Sequence, residues 1–162
     1  DHTERLMRYL KINFKKKKLN KSSTSIELNG PYEIKPRNIT VASDPSSAAF
    51  FIVGALIIPD SKITLNNIAL NKSRIAFIDI LKKMGGKIKV KKTKTVSGED
   101  VGIIQVSHSS LKAIKIKASA APYLIDEYPI LSIAASQAKG VTVMKGLSEL
   151  RHKESDLSLI HI

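Results

Sequence analysis

Between residues 48 and 56 every position is small or apolar, Ala-Ala-Phe-Phe-Ile-Val-Gly-Ala-Leu. A helix that is apolar nearly all round is a buried one. Asp44-Pro45-Ser46-Ser47 opens it, with Asp as N-cap, Pro at the first helical position and hydroxyls in the first turn. The apolar stretch runs on to Ile58 and stops at Pro59, too short to span a bilayer. A second apolar helix is predicted over 126–138, and an amphipathic one near Arg74–Met84 ends at Gly85-Gly86. At the start, Asp1 with Glu4 suits a capping box, with Leu6, Met7 and Leu10 on the apolar side. Alternating positions predict strands over 23–28 and 38–42, with Gly30-Pro31 as the turn between them. Further strands are expected at Ile63–Leu65, near 87–92, 102–107 and 113–117, and at Val141–Met144.

Part of this pattern repeats. Ile130-Leu131 to Val141-Thr142-Val143 echoes Ile52-Val53 to Ile63-Thr64-Leu65 at a constant offset of 78 residues. Each copy reads as a buried helix, a short turn and a strand. Such units must stack, because each alone leaves an apolar face open. The fold class is therefore α/β (α+β), built from repeated helix–strand units.

Composition narrows the choice. The absence of cysteine rules out disulfides and thiolate metal sites. A net charge of +13 invites a nucleic-acid reading. Against it, the positive charge is almost all lysine, with arginine only at 5, 8, 37, 74 and 151. Phosphate and base recognition favours arginine. No aromatic residue interleaves with Lys15–Lys18, so that run reads as a solvated strand or turn and not a stacking platform. The expectation is a soluble cytoplasmic protein that binds neither nucleic acid nor membrane.

The chemistry-bearing stretches are Ile125-Asp126-Glu127-Tyr128-Pro129 and Arg151-His152-Lys153-Glu154-Ser155-Asp156. Charges of both signs at a helix mouth suit an anionic substrate held beside a proton-transfer group. A solvated helix start accounts for the spacing equally well. Asp126 opens the second apolar helix, where the helix dipole favours its charged form, or it serves only as an N-cap. Glu127 reads as its exposed neighbour, with no catalytic part. Ser46 and Ser47 stand where a helix N-terminus binds phosphate, although capping suits them better.

The run IDEYPIL followed by GLSELRHKESD resembles the EPSP synthase family (3-phosphoshikimate 1-carboxyvinyltransferases), as do DHTERLM, DPSSAAFFIVGAL, KKMGGKIKV and GED upstream, in the family's order. The resemblance implies a two-lobe inside-out α/β barrel built from βαβαββ repeats, helices inside and sheets outside. Residues 1–43 would finish one lobe, and 44–156 would make about one and a half repeats of the other. The implied reaction joins shikimate 3-phosphate to phosphoenolpyruvate and releases phosphate, with no metal or organic cofactor, in a protein monomeric when full length. Asp126 matches the aspartate that contacts the ring hydroxyls and accepts the 5-hydroxyl proton. Glu154 matches the glutamate that shuttles a proton at C3 of the enolpyruvyl group. Lys153 matches the lysine that holds shikimate 3-phosphate, while Arg151 is read as structural and His152 is left without a role.

Leu157 stands where the family has a phosphate-binding arginine. The hexapeptide Leu-Ser-Leu-Ile-His-Ile over 157–162 is encoded by CTG-TCT-CTT-ATA-CAC-ATC, a transposon end used in sequencing-library preparation, so adapter read-through is the expectation there. The family's remaining substrate ligands fall outside these residues, so the isolated chain is expected to lack turnover. Two other readings stay open: an enolpyruvyl transferase acting on UDP-N-acetylglucosamine, and a basic nucleic-acid protein of the RNA 3′-phosphate cyclase kind.

Overall fold

A computed structural model describes residues 1–20, 23–153 and 156. The chain opens with helix α1 (His2–Tyr9) and the antiparallel hairpin β1 (Lys15–Lys18) and β2 (Thr24–Glu27). Both strands of the hairpin are exposed, as four consecutive lysines in β1 demand.

The next segment follows a βαβαββ order, with its first β reduced to a single bridging residue, Ser43. Ser43 bridges Ile68 in parallel, and α2 (Pro45–Ile57) crosses over between them to β3 (Lys62–Ala69). A parallel pair needs such a crossover, and the helix supplies it. Helix α3 (Ala76–Lys83), β4 (Lys87–Val96) and β5 (Glu99–Ser107) follow, giving an antiparallel sheet in the order β3-β5-β4. A second βαβ comes after it. Strands β6 (Lys115–Ile116) and β7 (Val143–Met144) pair in parallel around α4 (Tyr128–Ser136).

The core lies between the helices and the inner sheet face. Ile52 and Leu56 of α2, Phe77 and Leu81 of α3, Ile104 of β5 and Leu131 of α4 are all fully buried in it. On β4 the period-two rule separates buried Ile88 from exposed Lys87 and Lys89, so the sheet turns its lysines to water. At Gly102 of the central strand β5, an added Cβ would lie 2.3 Å from the Lys91 carbonyl oxygen and 2.5 Å from Leu70 Cδ1, so only glycine admits this close approach. Among the described residues, no helix is long and apolar enough to cross a membrane.

Several expectations change. No strand forms over 38–42; only Ser43 reaches a partner, and β2 pairs with β1 instead. There two backbone groups bond side chains instead of a neighbouring strand, Thr40 N–H donating to Ser97 Oγ and the Asn38 carbonyl accepting from Tyr9 Oη. The capping box at α1 does not close. The Glu4 carboxylate goes to Lys16 at 2.8 Å, and Asp1 accepts from Arg5 and Asn71. Leu6 stays 39 % exposed. The amphipathic helix starts at Ala76, and β4 and β5 run longer than their patterns predicted. The second apolar helix is Tyr128–Ser136 and not 126–138, which leaves Asp126 and Glu127 in the turn before it. The expected read-through at 157–162 lies outside the described residues.

Candidate active site

Two buried leucines place the candidate residues. A 3-10 turn (Ala118–Tyr123) ends at Leu124, 1 % exposed, and the chain then turns outward through Asp126 before α4. Pro129 fits the first turn of α4, where its missing N–H costs nothing. Another 3-10 turn (Ser148–His152) is pinned by Leu150, 5 % exposed, and delivers Lys153 at its end. The two turns meet, and Lys153 Nζ donates to Asp126 Oδ1 at 2.8 Å. A cavity of about 410 Å³ adjoins the pair, lined by Ala121, Pro122, Ile125, Glu149, His152 and Lys153.

The side chain of Asp126 is 51 % exposed and that of Lys153 31 % exposed. An ion pair at that exposure contributes little stability. Its chemical content is a carboxylate able to accept a proton beside an ammonium able to hold an anion, at the edge of a cavity.

Of the residues singled out in the sequence, Asp126 and Lys153 come together. Glu154 lies outside the described residues. Arg151 and His152 are both exposed. Asp126 sits one residue ahead of the α4 N-cap, so it is not the cap itself.

Glu127, expected to be exposed, is the buried member of the acidic pair, at 3 %. Its Oε1 accepts from Ser46 Oγ at 2.5 Å, and Arg74 Nη2 donates to the same Oγ at 2.8 Å. Burial pushes the Glu127 carboxyl above its ordinary range, with the Asp126 charge adding to the rise; the Ser46 hydrogen bond and Arg74 oppose it. The expectation that Ser46 and Ser47 cap α2 changes: Asp44 is the cap, accepting from both the N–H and the hydroxyl of Ser47 at Oδ2, and Ser46 faces this network. Only the serine–serine pair at a helix start and a carboxylate beside Asp126 hinted at it in the sequence. Among the described residues no group of three or more His, Asp or Glu is arranged to hold a metal ion.

The class of protein is thus a stacked α/β repeat carrying a carboxylate–lysine pair at a cavity edge. The sequence matches the family EPSP synthase (3-phosphoshikimate 1-carboxyvinyltransferase) over residues 1–162. It is 48 % identical over 131 residues to the 3-phosphoshikimate 1-carboxyvinyltransferase of Sphingopyxis alaskensis, covering 81 % of this chain and 29 % of that protein. The Rhodospirillum rubrum protein of the same name is 42 % identical over 156 residues, 96 % of this chain and 35 % of the relative. An EPSP synthase structure from Acinetobacter baumannii superposes with a TM-score of 0.85 at 40 % identity, covering 96 % of this chain and 34 % of that one. The chain belongs to the EPSP synthase family, and its α/β architecture is part of that family's fold. It spans about a third of the length of the curated relatives it matches.

Proposed function

We propose that the full-length protein transfers the enolpyruvyl group of phosphoenolpyruvate to the 5-hydroxyl of shikimate 3-phosphate. The observation that carries this reading is the 2.8 Å contact between Lys153 and Asp126, in a chain of this family. In the first step the 5-hydroxyl oxygen bonds to C2 of the enol, Asp126 takes the hydroxyl proton, and a proton reaches C3 from Glu154. The resulting tetrahedral adduct then loses inorganic phosphate as Glu154 removes a proton from C3, which restores the double bond. Lys153 holds the phosphate of shikimate 3-phosphate and offsets negative charge as it develops. The Asp126 side chain is 51 % exposed and bonded to Lys153, which lines the cavity, so a ring hydroxyl can reach it.

The relatives named 3-phosphoshikimate 1-carboxyvinyltransferase favour this reading over the nucleotide-sugar and nucleic-acid alternatives. We place the protein in the cytoplasm, as a monomer when full length, with 1–43 closing one lobe and 44–156 beginning the other. The βαβαββ order that starts at the Ser43 bridge supports that division. The 162-residue chain alone is proposed to lack turnover, since lobe closure around both substrates needs residues beyond it. The test is phosphate release from shikimate 3-phosphate and phosphoenolpyruvate by the full-length protein. Turnover in the wild type that Asp126→Ala and Glu154→Gln each abolish supports the reading. A wild type that is inactive on these substrates but active on a nucleotide sugar replaces it.

A further inference from the structure

The segment 125–128 holds two acidic residues with opposite surroundings, Asp126 in solvent and Glu127 buried. All three polar groups of Glu127 are engaged. Its N–H donates to the Leu124 carbonyl at 2.9 Å, its carbonyl accepts from Leu131 N–H at 2.8 Å, and its carboxylate accepts from Ser46 Oγ.

The direction of the side-chain bonds is set by chemistry. Arginine has donors only, so the Arg74 guanidinium donates to Ser46 Oγ, and the serine's own hydrogen is left for Glu127. Arg74 Nη2 also lies 3.3 Å from Asp44 Oδ1. A polar chain therefore links the first turn of α2, the approach to α3 and the N-cap of α4.

We propose that Glu127 is a positioning residue for Asp126, fixing through Ser46 and Arg74 the turn that presents the proposed base. This rests on the reading that Asp126 takes the substrate's proton. A base has to stand within about 0.5 Å of its productive place, and a residue in a turn has no helix or strand ladder to hold it there. Glu127 supplies that hold one peptide away, because Ser46 sits in the first turn of α2, whose Ala49, Ile52 and Leu56 are fully buried. Lys153 touches Asp126 from a different turn, so each of the two site residues has its own anchor.

The experiment is steady-state kinetics on the full-length protein with shikimate 3-phosphate and phosphoenolpyruvate, each variant corrected for its folded fraction by circular dichroism. Glu127→Ala and Ser46→Ala should each lower kcat about 10- to 100-fold with KM for shikimate 3-phosphate within about threefold. The double variant should fall no further than the worse single one, since both remove the same bond. Glu127→Gln, which keeps an oxygen acceptor for Ser46, should retain kcat within about threefold. If Glu127→Ala does not fold, Ser46→Ala decides alone. A kcat per folded molecule within about twofold of wild type in the folded alanine variants would overturn the inference and leave the reading of function intact. So would a loss confined to KM, or a Gln variant as impaired as the Ala one. A wild type without turnover removes both the reading and the inference.

Discussion

Lys153 Nζ lies 2.8 Å from Asp126 Oδ1, joining two turns whose residues stand 27 positions apart. Both side chains keep substantial contact with solvent. The pair is therefore poorly placed to stabilise the fold and well placed to be separated by an anionic, hydroxyl-bearing substrate.

Function and stability should accordingly come apart at these positions. In the full-length protein, Asp126→Ala and Lys153→Met should each lower kcat/KM by about 10²- to 10⁴-fold. The same changes should alter the unfolding free energy by about 1 kcal/mol or less in denaturant titrations. Equal losses in activity and stability would mean that the pair is structural.

Glu127 makes a pH prediction. Its carboxyl is raised from 4.5, first by burial. A raised carboxyl means that the folded state holds the proton more tightly than the unfolded chain does. The contribution of this carboxyl to stability is then fully present below 4.5 and is lost as pH rises through the folded value. Glu127→Gln does not titrate, so its unfolding free energy relative to wild type should rise between about pH 4 and about pH 7. A difference flat across that range would contradict the buried carboxylate.

Asp44 has the opposite sign. Burial pushes its carboxyl up, but the hydrogen bonds from Ser47 and Ser46 and the Arg74 charge outweigh that and leave it below 3.8. A depressed carboxyl contributes stability above the unfolded value, and that contribution is lost as pH falls through the folded one. Asp44→Ala should cost about 0.5–2 kcal/mol at neutral pH, by removal of the α2 cap, with a smaller cost in acid. Asp44→Asn should cap nearly as well and lose that pH dependence. Thermal melts across pH distinguish the two.

Gly102 tests the sheet. With the Lys91 carbonyl 2.3 Å and a Leu70 methyl 2.5 Å from any added Cβ, Gly102→Ala should force β5 away from its neighbours. The expected loss is about 1–3 kcal/mol in urea unfolding, without direct contact with the proposed site residues. A variant as stable as wild type would show that the strands shift freely.

Much of the architecture was legible from local signals. Helix α2 declares itself through the Asp44-Pro45 start and an unbroken apolar run, although its expected burial all round does not hold, since Phe50 and Phe51 are 63 % and 66 % exposed. The lysine alternation of β4 likewise follows from the two-residue period of a strand. The repeat also held in outline, since α2 and α4 each cross over between parallel partners. Strand 38–42 failed because a strand needs a neighbour at its edge, and the residues that take its hydrogen bonds, Tyr9 and Ser97, lie far away in the sequence.

The site divides in the same way. Sequence by itself determined the family, because that depends on which side chains occur in which order, and the proposed site residues Asp126, Lys153 and Glu154 come from the same resemblance. Tertiary structure alone decided which of two adjacent carboxylates is buried. Asp126 and Glu127 occupy one turn, where no periodicity assigns a face, and burying either requires a donor. That donor is Ser46, 81 positions earlier, brought to Glu127 only when α2 and α4 pack side by side.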